Sequence, residues 1–195
     1  ANGLLTVASS LTTGASQWTS DGFGNVGFNG SARMEIWTTN RQEWLISPSI
    51  DLGTGTTPYQ VEFDVAATQW NNTNPATFDN DDKFYLIIST DNGVTWSDTN
   101  IIGQWDTTNI PVHTGDYFSF NLTAAGYTGN VKFAIYAEST ISNEDMDLSI
   151  DNFQVREVPT CPKPTSFGSI ALFYDSVQLS WVQGINDSIW EIQYG

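Results

Sequence analysis

Cysteine and histidine are scarce in this 195-residue chain, and each scarcity excludes a class of site. Cys161 is the single cysteine, so no internal disulfide can form. His113 is the single histidine, and a zinc site needs more Cys or His ligands than the chain has. No apolar run reaches the roughly 18 residues of a membrane-spanning helix. Helical periodicity is also nearly absent, which predicts an all-β chain.

Positive charge is equally rare. Six Lys and Arg face 22 Asp and Glu, so the formal net charge is −16. Nucleic-acid binding and docking on an anionic membrane both need clustered cations, and the charge argues against both partners. Bound cations would relieve the repulsion among carboxylates, and Ca²⁺ prefers oxygen ligands. A solvated acidic surface is the alternative, and the net charge alone does not decide between the two.

Catalytic motifs are missing too. His113 follows Pro111-Val112 in loop-like sequence, and no Gly-x-Ser-x-Gly nucleophile motif accompanies it. The glycines of residues 21–27 open no helix, so they do not predict a phosphate loop. A pair of catalytic carboxylates for glycoside hydrolysis is an alternative that the sequence does not exclude, since acidic residues are plentiful. We therefore expect a chain that is not an enzyme.

Period-two alternation is what the sequence has in abundance. Residues 60–68, 83–90, 117–122, 131–137 and 148–155 alternate apolar with other side chains, as strands do. The 83–90 segment is apolar on both faces, which predicts a central strand. Turn sequences at 51–53, 91–93, 114–116 and 128–130 separate these segments. Regular strands without helices predict a sandwich or barrel.

Composition divides the chain into three parts. Residues 1–157 hold the long strand series, and residues 158–164 form a linker with three prolines, which favours extended backbone. Residues 165–195 are too few for an independent sandwich. The LSW of 179–181 and the WEIQY of 190–194 resemble the first strands of a fibronectin type III domain. We expect this immunoglobulin-like part to be an incomplete domain, whose open strand edge is a candidate for self-association.

Several polar and aromatic residues are candidate ligands. Three acidic residues crowd the loop before the central strand: Asp79, Asp81 and Asp82. Asp151 interrupts the otherwise apolar strand predicted at 148–155. Either a cation or hydrogen-bond donors must offset the charge at both places. Trp70 with Asn72, and Trp105 with its acidic neighbour, suit stacking on a sugar and bonding at its edge. The alternative for both tryptophans is packing at the end of the sandwich. Residues 89–96 match an Asp-box, which predicts a hairpin turn.

Two segments carry a family resemblance. Residues 44–52, WLISPSIDL, and 150–153, IDNF, resemble signatures of the cleaved-adhesin and choice-of-anchor J modules of Bacteroidetes surface proteins, which are similar to MAM domains. The resemblance spans residues 15–157. It implies a jelly-roll β-sandwich, secretion by the type IX route and structural Ca²⁺. Carried over, the calcium ligands are Asp82 and Asp151, with Asp21 and Glu35 as further candidates. Bacteroidetes O-glycosylation motifs match Thr107, Ser176 and Ser188.

The function that follows is a calcium-stabilised, non-catalytic adhesion module of a secreted or cell-surface protein. Its partner would be a glycan or an extracellular or host protein. A carbohydrate-binding module of a secreted polysaccharide-degrading enzyme is the first alternative. An accessory domain of a secreted protease is the second.

Overall fold

The computed structural model describes residues 4–5, 18–37, 41–140, 145–160, 165–183 and 189–192. No described helix is long and apolar enough to cross a membrane. The strands, in chain order, are β1 (Leu4–Leu5), β2 (Trp18–Asp21), β3 (Ser31–Ile36), β4 (Arg41–Ile46), β5 (Ile50–Asp51), β6 (Tyr59–Gln69), β7 (Lys83–Ser89), β8 (Trp96–Ser97), β9 (Ile101–Trp105), β10 (Asp116–Asn121), β11 (Asn130–Ser139), β12 (Met146–Glu157), β13 (Thr165–Leu172) and β14 (Val177–Val182).

The first of two compact units, Ala1–Arg156, is a sandwich of two antiparallel sheets. The first sheet has the strand order β10-β6-β12-β3-β2. The second has the order β4-β11-β7-β9, with β5 pairing to β11. The predicted all-β sandwich is therefore confirmed. The predicted central position of residues 83–90 is confirmed too, since β7 lies between β11 and β9.

The core lies between the sheets and follows the alternation of the sequence. In β6, Val61, Phe63 and Val65 are buried in this core, which leaves Glu62 and Asp64 on the opposite side of the strand. The inward residues of β7, β11, β12 and β3 complete the core: Phe84, Leu86, Ile88, Val131, Phe133, Ile135, Met146, Leu148, Ile150, Met34 and Ile36. We call the side of the first sheet that carries Glu62 and Asp64 its outer face.

Residues 24–37 do not form one continuous strand. Phe23–Asn25 form a 3-10 turn, and β3 begins only at Ser31. Two large apolar side chains lie outside the core: Phe28 is 93% exposed, and Trp37 is 43% exposed. Positive φ angles at Gly27 and Gly30, 85° and 110°, break the extended backbone there. The glycine turns therefore carry this segment away from the core.

The second unit, Glu157–Gly195, contains the antiparallel pair β13–β14. The predicted strand near residue 190 is not formed by residues 189–192, and residues 193–195 lie outside the described ones. Trp181 and Trp190 meet with ring centroids 5.6 Å apart. A fibronectin type III domain therefore stays a prediction.

Candidate functional site

Arg33 gathers the carboxylates of three neighbouring strand positions. Its Nη1 lies 2.8 Å from Asp21 Oδ2, its Nε 3.0 Å from Asp147 Oδ1, and its Nη2 3.9 Å from Glu35 Oε2. The Gly22 amide and the Arg33 guanidinium lower the pKa of Asp21. Burial and the nearby Asp145 and Asp147 raise the pKa of Glu35. Asp21 and Glu35, predicted as calcium ligands, thus surround a cation that belongs to the protein.

The acidic loop before β7 is held by donors from the chain itself. Asp82 is buried and accepts the Asp79 amide at 2.8 Å through Oδ2. Asp81 Oδ2 accepts the amide of Thr140 at 2.8 Å and its hydroxyl at 3.4 Å. Burial raises the pKa of Asp82 despite the donors at its carboxyl. Hydrogen bonds, the alternative to a cation, therefore account for the placement of this loop.

The backbone of β12 departs from regular strand geometry at Asp151 and Asn152. Asn152 has φ 52°, and its own amide donates to Asp151 Oδ1 at 2.6 Å. Within the described part of the chain, no group of three or more His, Cys, Asp or Glu side chains is arranged to hold a metal. Of the predicted calcium ligands, Asp21 and Glu35 lie beside Arg33, Asp79, Asp81 and Asp82 share one loop, and Asp151 lies in β12; calcium binding by them stays a prediction.

The two segments of the family resemblance meet at a cleft of about 380 Å³ between the sheets. Ser47, which follows β4 directly, is bonded to β11. Its amide donates to Phe133 O at 2.9 Å, and its Oγ accepts the Phe133 amide at 2.9 Å. The cleft is mostly apolar and is lined by Gly30, Ala32, Leu45, Ile46, Ser47, Pro48, Phe133, Ile135, Ile150, Asp151, Asn152 and Phe153. The motif residues therefore lie together in space, around an apolar opening.

The two candidate sugar-binding tryptophans have opposite environments. Trp70 is 48% exposed in the loop after β6, next to the exposed Asn72. Trp105 is only 7% exposed and stacks on Phe84 with ring centroids 4.9 Å apart. Trp105 also contacts Phe63 at 5.8 Å, so it belongs to the core. A sugar can reach the ring of Trp70, whereas burial corrects the prediction for Trp105.

The glycosylation candidates lie on turns where the structure describes them. Thr107 and Ser176 are exposed. Ser188 lies outside the described residues. Exposure is what an O-linked sugar requires, and attachment itself stays a prediction.

The Asp-box forms the turn that its sequence predicts. Asp91 accepts hydrogen bonds from the Ser89 hydroxyl at 2.6 Å, from the Thr95 hydroxyl at 2.5 Å and from the amides of Val94 and Thr95. Gly93 supplies a φ of 87°, and Trp96 is buried beneath the turn. The Ser89 and Thr95 donors hold the pKa of Asp91 well below its ordinary value of 3.8.

We expect Asp91→Asn to lower the denaturation midpoint at neutral pH and to flatten its acid dependence. A carboxyl with a lowered folded pKa stabilises the fold above its ordinary pKa of 3.8, and that contribution is lost as pH falls through the folded value. Urea unfolding between pH 7 and pH 3 measures both effects. The substitution Asp98→Asn serves as a control, since that carboxylate does not anchor the turn. Equal acid dependence in the wild type and Asp91→Asn would contradict the prediction.

The outer face of the first sheet holds a polar cluster that sequence analysis does not reveal. The carboxylate of Glu62 is 1% exposed and accepts the Tyr117 hydroxyl at 2.6 Å and Gln154 Nε2 at 2.6 Å. Arg156 donates a hydrogen bond through Nη2 at 3.0 Å and forms an ion pair with Glu62, its Nε lying 2.8 Å from Oε1. Gln60 also donates to it. We call these five residues the Glu62 cluster.

Electrostatics fixes the protonation of the Glu62 cluster. Burial alone would raise the pKa of Glu62, but the bonds from Tyr117, Arg156 and Gln60 outweigh it, and the net pKa is lowered. Burial and the adjacent carboxylate raise the pKa of Tyr117. At neutral pH the carboxylate is thus charged and the phenol is a donor. Tyr117 is nevertheless 49% exposed, so a ring held by its hydroxyl is open to solvent.

The cluster extends along the same face. Asn152 Nδ2 donates to Asp64 Oδ2 at 2.7 Å, one outward position beyond Glu62 on β6. Tyr117 pairs in register with Asp64, so β10, β6 and β12 all contribute to the surface. Period-two alternation could have placed Glu62 and Tyr117 on outward positions. The pairing of three strands distant in sequence brings them together.

Three solved structures resemble this chain at low identity. A carbohydrate-binding module, CBM61 in complex with β-1,4-galactotriose, has 14% identity and a TM-score of 0.42, with 69% of this chain and 77% of that chain covered. The enzymatically active domain of tailspike protein 4 from bacteriophage CBA120 has 12% identity and a TM-score of 0.43, covering 75% and 18%. The glycoside hydrolase domain of Endo-D from Streptococcus pneumoniae R6 has 13% identity and a TM-score of 0.36, covering 88% and 26%. No family model and no curated protein matches the sequence.

Proposed function

We propose that this chain is a non-catalytic module that binds a neutral glycan on the outer face of its first sheet. The observation that carries the proposal is the half-exposed ring of Tyr117, fixed by its hydroxyl to the buried carboxylate of Glu62. An aromatic face stacks on a sugar, and the polar groups beside it bond to hydroxyls. Both parts of a sugar site lie within the Glu62 cluster and the neighbouring pair Asp64–Asn152.

Preorganisation supports the proposal. The hydrogen bonds among Gln154, Arg156 and Glu62 hold these side chains before any ligand arrives, which reduces the entropy lost on binding. The exposed Asn152 and the partly exposed Asp64 are similarly paired. A rigid polar surface around one aromatic ring suits a carbohydrate better than an apolar partner segment.

Charge selects the neutral class of glycan. Arg156 is engaged by Glu62, so it is not a free cation for a uronate or a sulfate. Asp64 adds a carboxylate to the same face, and the whole chain carries −16. An anionic chain would be repelled, whereas neutral hydroxyls can bond to carboxylates and amides alike.

The same geometry disfavours catalysis by the cluster. A general acid must hold a proton near neutral pH, but the donors around Glu62 lower its pKa. Its two oxygens are occupied by Tyr117, Gln154 and Arg156. The cluster is built to hold its groups still, as a binding surface requires.

Affinity electrophoresis on neutral and acidic polysaccharides tests the proposal. Tyr117→Ala should weaken retardation by a neutral glycan about tenfold, since an aromatic stacking contact contributes on the order of 1 kcal/mol. Trp70→Ala is the matched control, because Trp70 is similarly exposed in the loop after β6. Tyr117→Phe keeps the ring but removes its bond to Glu62, so it should weaken binding less than Tyr117→Ala does.

Two outcomes would contradict the proposal. Retardation by acidic but not neutral glycans would show that the site does not select neutral sugars. Loss of binding in Trp70→Ala with Tyr117→Ala unaffected would move the site to the Trp70 loop.

The family resemblance adds finer proposals. We infer from residues 44–52 and 150–153 a jelly-roll connectivity, an extracellular location and service in adhesion. The convergence of both segments on one cleft supports a shared structural role for them. Binding to an extracellular protein by a chain that is retarded by no glycan would favour adhesion over the carbohydrate-binding reading.

A further inference from the structure

The cleft between the two sheets reaches from solvent into the apolar core. Phe133, Ile135 and Ile150 line its deep part, and each of them is no more than 4% exposed. Ile46, which is 39% exposed, and the exposed Pro48 line its mouth. A molecule that enters from solvent can therefore contact side chains that belong to the core.

The opening arises where β12 loses its neighbour β3. The register between these strands ends at the pair Ala32–Ile150. Gly30 has φ 110°, which turns the chain away, and a Cβ built on Gly30 would meet nothing within 4 Å. Asn152 has φ 52°, so β12 also leaves the extended conformation there. The path of the backbone thus sets the opening of the cleft.

The volume of the cleft suits a small organic ligand. An apolar cavity of about 150 Å³ holds a benzene molecule, and ligand pockets range from about 300 to 1,000 Å³. The cleft, at about 380 Å³, exceeds the first volume and falls within the second range. Aliphatic side chains make up much of its lining: Leu45, Ile46, Ile135 and Ile150. A flexible alkyl chain fits such a branched, irregular wall.

Charge at the cleft selects the head group of that ligand. Asp151 is the only charged residue among the described residues that line it. Its Oδ1 accepts the Asn152 amide at 2.6 Å, and no described residue bonds to its Oδ2. One carboxylate oxygen is therefore available to a donor. An anionic head group would be repelled by Asp151 and by the net charge of −16, whereas an ammonium group is complementary to both.

We propose that the cleft binds a single-chain cationic amphiphile, namely a primary alkylamine in its protonated form. The alkyl chain lies against Phe133 and Ile150, and the ammonium group donates to Asp151. Burial of the chain provides the main driving force, and the charged hydrogen bond fixes the head at the mouth. The site is distinct from the proposed sugar surface, because neither Tyr117 nor Glu62 lines the cleft.

Calorimetric titration of the whole chain with ligands of equal chain length tests the proposal. Octylamine should bind with a stoichiometry of one, 1-octanol about tenfold more weakly, and octanoate not measurably, all below their micelle concentrations. Butylamine carries the same charge as octylamine but buries less apolar surface, so it should bind at least tenfold more weakly. Its weak binding separates the cleft from general attraction to an acidic surface.

Ala32→Leu is the decisive variant, because Ala32 lines the cleft and is only half-buried. The larger side chain occupies the space of the ligand, so octylamine affinity should fall at least tenfold while the thermal midpoint does not fall. Ala125→Leu, at an exposed position in the turn after β10, is the matched control and should bind octylamine as the wild type does. Asp151→Asn should remove the preference for octylamine over 1-octanol and retain the binding of 1-octanol.

Three outcomes would overturn the proposal. Octylamine binding that is unchanged in Ala32→Leu would place the amine on the acidic surface outside the cleft. Octanoate affinity equal to that of octylamine would show that Asp151 does not select the head group. A dimer that forms with rising protein concentration, is abolished by Ala32→Leu and takes up no octylamine would assign the cleft to a second copy of the chain.

Discussion

Arg33→Met is expected to destabilise the chain by about 3–5 kcal/mol, because it leaves a buried carboxylate without its cation. Arg33 ion-pairs Asp147, whose side chain is fully buried, and Asp21. Methionine fills similar space but offers no donor. Urea unfolding should show a lower midpoint with the same dependence on urea, as expected of a change in stability alone.

The pH dependence of Arg33→Met provides a second readout. The pKa of Glu35 is already raised although the Arg33 guanidinium acts to lower it, so removal of the guanidinium should raise the pKa of Glu35 further. A carboxyl with a raised folded pKa stabilises the fold as it takes up a proton, so stability should increase as pH falls from 7 toward 5.

A double-mutant cycle supplies the control for Arg33→Met. Asp147→Asn in the Arg33→Met background should recover part of the lost stability, because no buried charge then remains unpaired. A loss below about 1 kcal/mol in Arg33→Met would show that the pair behaves like a surface ion pair.

Trp105→Ala is expected to cost about 3–5 kcal/mol, as large-to-small substitutions of buried aromatics do. Trp105 contacts Phe84, Phe63 and Phe118 with ring centroids at 4.9, 5.8 and 5.2 Å. Gly103 leaves the space that the ring fills, since a Cβ there would lie 2.9 Å from Trp105. The substitution therefore opens a cavity bounded by rigid rings. Thermal and urea unfolding measure the loss.

Trp70→Ala is the comparison for Trp105→Ala. Trp70 is half exposed, so its removal should change stability by no more than about 0.5 kcal/mol. Equal losses in the two variants would contradict the burial difference between the two tryptophans. A glycan affinity that falls in Trp105→Ala with stability intact would restore Trp105 as a ligand contact.

Alternation predicted the sheets where the chain is regular. Val61, Phe63 and Val65 are buried as their spacing indicates, and the turn at Asp91 forms as its sequence indicates. Phe28 is exposed although its side chain is apolar, because burial depends on whether neighbouring turns keep the chain on the core. The sequence pattern has no information on that path.

Function-bearing residues were harder to predict. Trp105 was a candidate for sugar binding because an acidic residue follows it, but strand pairing puts it in the core. Asp21 was a calcium candidate through the family resemblance, but Arg33, twelve residues away, pairs with it across the β2–β3 pair. Local composition shows which groups exist and not which groups they face.

Composition and periodicity by themselves determined an acidic, all-β chain with alternating strands and glycine turns, since backbone preference and side-chain alternation are local properties. Tertiary structure alone decided that Glu62 meets Tyr117 and Arg156, and that Asn25 meets Asp147. Those contacts join residues up to 122 positions apart in the sequence. Sheet order and register, which arise from the packing of the whole core, set them.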